Sequence, residues 1–421
     1  MKTKRLLKVL GPGLLYAGAA IGVSHLVQST RAGAGFGFDL VWILIVVNFL
    51  KYPFFEFAPR YATATGMSLI DGYKKLGQWA VVAFALLTLA TMFAILAAVT
   101  IVTAGLLGNV LQLDIGIVPL SAIILATTVL ILIIGKYAVL DKLIKVVIVV
   151  LAISTLVAVF FAFGHGYHPD TEYIRHFDWL SRPDVLFLIA FIGWMPAPID
   201  VSVWSSLWTV EKSRNLGFKP KLRESLVEFR IGYIGTAFLA LCFLILGAMV
   251  MHGSNEVLSS NGTDFAGQLI EMYTVNIGKW SWPLIAIAAV MTMFSTTMTV
   301  IDAYPRVLRP ITTYLIPSWQ GGKREHGLIY WIWIVVVASG ALILLKFFAS
   351  SMTFMVDVAT TLSFITAPVL AVMNYRVITS KHVPDSAKPG FWLRLWSWIG
   401  ILFLGAFTLF YMAWRLGWVS I

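Results

Sequence analysis

Residues 191–202 read Phe191-Ile192-Gly193-Trp194-Met195-Pro196-Ala197-Pro198-Ile199-Asp200-Val201-Ser202. They lie inside an apolar run over about 186–209, long enough to cross a bilayer. Two prolines, two residues apart, remove backbone donors and clash with the turn before them. An acid follows directly. In hydrocarbon every unpaired peptide group is costly, so an unwound stretch survives there only against protein or a watery cavity.

A second interruption lies five spans earlier. The first apolar run reads Gly11-Pro12-Gly13-Leu14-Leu15-Tyr16-Ala17-Gly18-Ala19-Ala20-Ile21-Gly22-Val23-Ser24-His25-Leu26-Val27-Gln28, with small and polar residues at its middle. Outward from these two, apolar runs predict eleven spans: 10–34, 38–64, 79–109, 116–135, 142–164, 186–209, 229–252, 280–303, 327–348, 353–375 and 391–416. The longest connection, about 253–279, leaves no room for a soluble domain, so the reading is one membrane domain.

Composition agrees. Of 421 residues, 59% are hydrophobic and 12% charged, with mean hydropathy +0.86; a soluble chain of this size needs more charge. The single cysteine, Cys242, excludes a disulfide framework and a cysteine-based zinc site. Met1–Lys8 is basic and precedes an apolar run, but no A-x-A-like cleavage site follows, so the first span is expected to be retained.

Orientation follows from Lys and Arg between the spans. With the N-terminus inside, inside segments carry 24 of the 31 basic residues and outside segments 6, with Lys51 inside the second span. The net charge of +11 is therefore a topology signal rather than a nucleic-acid footprint. The C-terminus falls outside.

Paired interruptions five spans apart are what an inverted five-helix repeat predicts. Repeat one covers about 10–164, repeat two about 186–375, and 391–416 is an extra helix. The first broken span starts inside and the sixth outside, so the breaks meet near the midplane. Free carbonyls there suit a cation, and half-helix N-termini suit an anion. The alternative is a pair of packing kinks.

These residues resemble the Nramp family of divalent-metal transporters. Gly11-Pro12 opens the first span as in the family, and Arg31-Ala32-Gly33 stands where it has a Gln-Ala-Gly-like stretch. Arg60 and Thr65-Gly66 close the second span. Ala197-Pro198-Ile199-Asp200 and Ser205-Ser206 fit the sixth, and Ser295-Thr296-Thr297 the eighth. The resemblance implies an all-α polytopic membrane protein with a LeuT-type fold, two inverted repeats plus an eleventh helix. It also implies a secondary transporter moving a divalent cation by alternating access.

The departures bear on the cargo. The family's Asp-Pro-Gly-Asn metal motif falls on Gly22, Val23, Ser24 and His25, so its carboxylate is absent. Its methionine ligand falls on Ala197, with Met195-Pro196 as a rival register. Loss of that thioether is similar to magnesium-transporting relatives, which keep the first-span acid; a hard cation does not need it. The family's third-span carboxylates have no counterpart, since 79–109 contains no Asp or Glu.

Ionisable side chains inside spans are functional candidates by default. Asp200 is a cation ligand or proton acceptor, or else a cap for the second half-helix. His25 is a metal ligand or proton shuttle, or a packing histidine. Asp357 falls, by the resemblance, where a metal-contacting Gln is expected, or it serves the helix dipole. The expected substrate site is thus Gly22, His25, Ala197, Asp200 and Asp357, with His25, Asp200 and Asp357 as metal ligands. Lys51, Glu56, Ser295, Thr296 and Asp302 are coupling or gating candidates. Asp302 lies four residues before Arg306, the spacing of a same-face ion pair. Lys51 needs a partner, and its charge would replace a coupling ion or attract an anion.

Two functions stay open: divalent-cation transport, or the same fold carrying a small organic solute or anion. No H-E-x-x-H, G-x-S-x-G or phosphate loop is present, so neither enzyme chemistry nor ATP is expected. The remaining expectations are no cofactor, a lipid bilayer as surroundings, a monomer, and a bacterial inner membrane. There, the Asn261-Gly262-Thr263 sequon would carry no glycan.

Overall fold

The computed structural model describes residues 11–135, 137–167, 172–216, 220–254, 257–316, 319 and 323–418. The inside charges Lys2, Lys4, Arg5, Lys8, Lys136 and Lys219, and the side chains of Lys142, Lys145, Lys323 and Arg324, lie outside the described residues.

The first predicted span is two pieces. α1 covers Pro12–Ala20; a π-helical turn over Ser24–Ser29 then leads into α2, Thr30–Phe36. The second, third, fourth and fifth spans are α3 (Val41–Thr65), α5 (Gln78–Leu111), α6 (Ile117–Ile134) and α7 (Tyr137–His165), with a short α4 (Leu69–Leu76) after α3. The sixth span is also two pieces, α8 (Arg182–Trp194) and α9 (Val201–Asn215). Then come α10 (Leu222–Met251), α11 (Gly262–Ile277), α12 (Trp282–Leu315), α13 (Lys323–Phe348), α14 (Met352–Ile378) and α15 (Phe391–Arg415). Among the described residues, eight unbroken helices are long and apolar enough to cross a membrane. The two broken pairs, and the apolar Val149–His165 of α7, supply the other three spans.

Local chemistry explains where the helices stop. α1 begins with Pro12, whose fixed φ and missing N–H suit a first turn. Its free amides are met from another helix: Glu228 Oε1 on α10 accepts from Gly11 N at 2.9 Å and Gly13 N at 2.6 Å. α3 contains Pro53 and Pro59 yet stays one rod. Pro53 lacks the amide that would bond Phe49 O, and the indole Nε1–H of Trp396 on α15 donates to that carbonyl instead, at 2.9 Å. A proline in a span is tolerated when a neighbour satisfies the freed group. The break at 195–200 has two prolines and no helix continuing through it.

α2 and α10 meet backbone to backbone. A Cβ at Gly33 would stand 1.9 Å from Leu244 O, and one at Gly247 2.5 Å from Thr30 O. Gly193 on α8 is as close to Thr360 of α14, 2.0 Å from its carbonyl oxygen. Small residues allow this in lipid, where packing rather than water drives helix association.

The connection 253–279 is not featureless. It holds α11, capped by Asn261, whose side chain accepts from Thr263 N at 2.8 Å and Asp264 N at 3.3 Å. The sequon asparagine is thus a helix cap. α12 runs to Leu315, about three turns past the predicted end of that span.

Candidate functional site

The two breaks face one another, as the sequence predicts. A small space of about 20 Å³ lies between them, room for about one water. Its wall includes Val23 and Ser24 from the first break, Ala197 and Pro198 from the second, Val99 from α5, and Thr296 from α12. Trp194 and Trp204 close it from either side of the second break. The wall is mostly apolar and carries no carboxylate, imidazole or thioether.

Each half-helix end at the breaks has a specific complement. α8 ends at Trp194, leaving carbonyls without amide partners in the chain. Lys51 Nζ, fully buried on α3, donates to Ile192 O at 2.6 Å and Gly193 O at 2.9 Å. A cation at a helix C-terminus matches the helix dipole. Lys51 is therefore bound to the second break rather than presented to a substrate. At the first break, the Thr296 hydroxyl lies 3.3 Å from Gly18 O and 3.4 Å from Ile21 O, and donates to Thr292 O at 3.0 Å. Gly22 is needed there, because its Cβ would stand 2.9 Å from the Thr296 side chain.

Asp200 sits at the N-terminus of α9, 6% exposed, between the wall residues Pro198 and Val201. Its side chain caps no amide of that helix. Oδ1 has no hydrogen bond of ordinary geometry; Oδ2 lies 3.5 Å from the Tyr304 hydroxyl, the long limit of a hydrogen bond, and the backbone amides of Asp200 and Val201 lie close to the carboxylate. A helix N-terminus favours a carboxylate by roughly 0.3–1 kcal/mol. Burial of an unpaired charge costs several times that. Helix capping alone thus leaves the placement of Asp200 unexplained.

His25 is fully buried but turned to α10, with Nε2 2.9 Å from Thr236 O and Nδ1 2.8 Å from Ser24 Oγ. Its ring meets Phe243 edge to face. The carbonyl contact requires a proton on Nε2, so both nitrogens are engaged. The π-helical turn over Ser24–Ser29 sets this direction, which a regular helical period does not foresee.

Asp357 is also spoken for. Arg31 of α2 makes a two-pronged pair with it, at 2.6 Å and 3.1 Å, and Gln28 Nε2 lies 3.2 Å away. This bridge joins α2 to α14 on the outer side of the first break. Among the described residues no group of three or more His, Cys, Asp or Glu is placed to hold a metal. The expected His25, Asp200 and Asp357 set is not assembled. One test follows from the pair's partial exposure, 18% and 35% for the two side chains. Asp357→Asn should change saturable uptake by less than about five-fold, since such pairs are worth roughly 0.2–1 kcal/mol. A larger loss would restore Asp357 as a ligand.

Of the remaining candidates, Glu56 and Asp302 fall toward the inner ends of their spans and Ser295 falls mid-span. Glu56 accepts from Arg60 Nη2 at 2.5 Å, Arg230 Nη2 at 3.3 Å and the Tyr52 hydroxyl. Asp302 accepts from Arg306 Nε at 2.6 Å and the Tyr330 hydroxyl at 2.5 Å. Ser295 is buried beside Thr296 on α12. Sequence reasoning passed over Glu228, whose partners are the amides of α1, and Thr236, which holds His25 through its carbonyl.

Comparison with known proteins gives this geometry its context. An uncharacterized protein of Pasteurella multocida is 36% identical over 416 residues, covering 98% of this chain and 93% of that one. Among solved structures, a manganese transporter of Eremococcus coleocola superposes with TM-score 0.69 at 15% identity, over 97% of this chain and 86% of that one. MhsT bound to L-phenylalanine gives 0.58 at 15% identity, over 94% and 98%. Mhp1, a nucleobase-cation-symport-1 family transporter, gives 0.57 at 12% identity, over 97% and 93%. The fold is thus the LeuT-type arrangement that the paired breaks predict. The family description "Natural resistance-associated macrophage protein-like" matches residues 13–413, and the chain, a multi-pass membrane transporter and not an enzyme, belongs to the Nramp family.

Proposed function

We propose that the chain is a secondary transporter of a divalent metal cation, held beside Asp200 between the two breaks. The observation that carries this reading is a buried carboxylate, one oxygen of which has no hydrogen bond of ordinary geometry, at the end of an unwound segment that faces a second one, with no protein cation paired with it among the described residues. A charge in that position needs a cation or a proton. Family membership and the manganese transporter of E. coleocola support a metal as cargo. An oxygen donor such as the Asp200 carboxylate, with no thioether in the wall between the breaks, suits a hard or borderline ion better than a soft one.

In this reading the two halves, about 10–164 and 186–375, rock against one another so that the breaks open to each side in turn. The Glu228 carboxylate at the amides of α1 and the Arg31–Asp357 bridge then hold the inner and outer sides closed.

A second reading has its own observation. The space between the breaks is walled by Val23, Val99, Pro198 and two tryptophans, an apolar lining that, once the breaks open beyond their present room for one water, suits a small organic solute. Uptake into proteoliposomes of manganese, magnesium, iron and a panel of small solutes decides between them. Saturable uptake of a divalent ion supports the first reading; uptake confined to organic solutes replaces it with the second.

A further inference from the structure

A second cavity, of about 730 Å³, lies away from the breaks, between α3, α10 and α15. It opens on a side of the bundle where Phe49, Ile234 and Trp392 are exposed, an apolar surface that faces lipid in a membrane. Its polar end is built at the inner ends of these helices, where the positive-inside pattern places the cytoplasmic interface.

That end carries a surplus of positive charge. Arg60 and Arg230 line it together with one acid, Glu56, which they share. Arg230 Nε also donates to the Tyr52 hydroxyl at 2.9 Å, which fixes the guanidinium at the mouth. Its side chain is 49% exposed, so donors remain available. The first turn of α15 borders the same cavity, and no side chain caps it. Unpaired first-turn amides and the positive helix end favour an anion. Stacked Phe49, Trp396 and Tyr52, with centroids 4.2 Å and 5.0 Å apart, form a rigid apolar wall below the charges.

A positive mouth at the interface above a lipid-facing apolar trough matches one ligand chemistry. We propose that this groove binds an anionic phospholipid of the inner leaflet, its phosphate at Arg60 and Arg230 and its acyl chain running past Trp392 and along Phe49 and Ile234. The site is separate from the transport site and does not depend on which cargo is carried.

The test uses the full chain in detergent, with lipid retention read by native mass spectrometry and thermal unfolding read alongside. Phosphatidylglycerol should be retained about ten-fold better than phosphatidylcholine with the same chains and should raise the unfolding midpoint. Glycerol phosphate, the head without chains, should do neither. Arg230→Gln should bring phosphatidylglycerol down to the phosphatidylcholine level. Ile234→Trp, which fills the trough and leaves every charge in place, should weaken both lipids, and it decides the matter if the arginine variant does not fold. Equal retention of the two lipids by the unsubstituted chain would overturn the proposal. So would an effect of glycerol phosphate equal to that of the lipid, which would mark a free-phosphate site, or full retention by Ile234→Trp.

Discussion

Asp200→Asn is expected to lower saturable divalent-cation uptake by roughly 30-fold or more. Removing one partner of a buried charge pair costs about 2–5 kcal/mol, and each 1.4 kcal/mol is ten-fold. The amide keeps the size and the Tyr304 contact but removes the charge that the ion must neutralise. Stability should move the other way. With no cation bound, the carboxylate is a buried charge with no counter-ion among the described residues, so the asparagine chain should unfold no earlier than the parent, and cation should no longer raise its midpoint. A variant that transports normally would remove Asp200 from the site. One that is also less stable without cation would make it structural.

Lys51→Met is the second large effect. Methionine has nearly the length and volume of the lysine stem, so packing is preserved. The ammonium is lost, and with it the donors to Ile192 O and Gly193 O. A buried acceptor left unsatisfied costs about 1–3 kcal/mol, so two cost about 2–6 kcal/mol. Thermal unfolding in detergent should therefore begin at clearly lower temperature, and cation binding should weaken because the second break is no longer fixed. An unchanged midpoint would mean that those carbonyls have another partner. A higher midpoint would mean that desolvating the ammonium outweighs its hydrogen bonds.

These two residues show what the sequence can and cannot carry. Asp200 was legible because it follows Pro196 and Pro198 inside an apolar run, and local rules suffice to place an unwound acid there. The eleven spans were legible for the same reason, as was the Asp302–Arg306 pair, which needs only helical spacing. Lys51 announced that it needed a partner. The partner is backbone, 141 residues away on α8, and no local pattern points to it. His25 and Asp357 point away from the space between the breaks for a related reason. The first is turned by a π-helical turn, and the second is taken by Arg31, 326 residues away. α11 was hidden because a surface helix of mixed polarity leaves no long apolar run.

The accessibility of position 197 to water-soluble thiol reagents, from each side of the membrane, tests the central claim most directly. Ala197 lines the space between the breaks, and Cys242, the one cysteine of the sequence, is buried. In a Cys242→Ser background, Ala197→Cys should react with a membrane-impermeant methanethiosulfonate added from either side of reconstituted vesicles, and manganese should slow the reaction. A cysteine there that stays unreactive from both sides, or reacts at the same rate with and without manganese or any other transported species, would contradict the account.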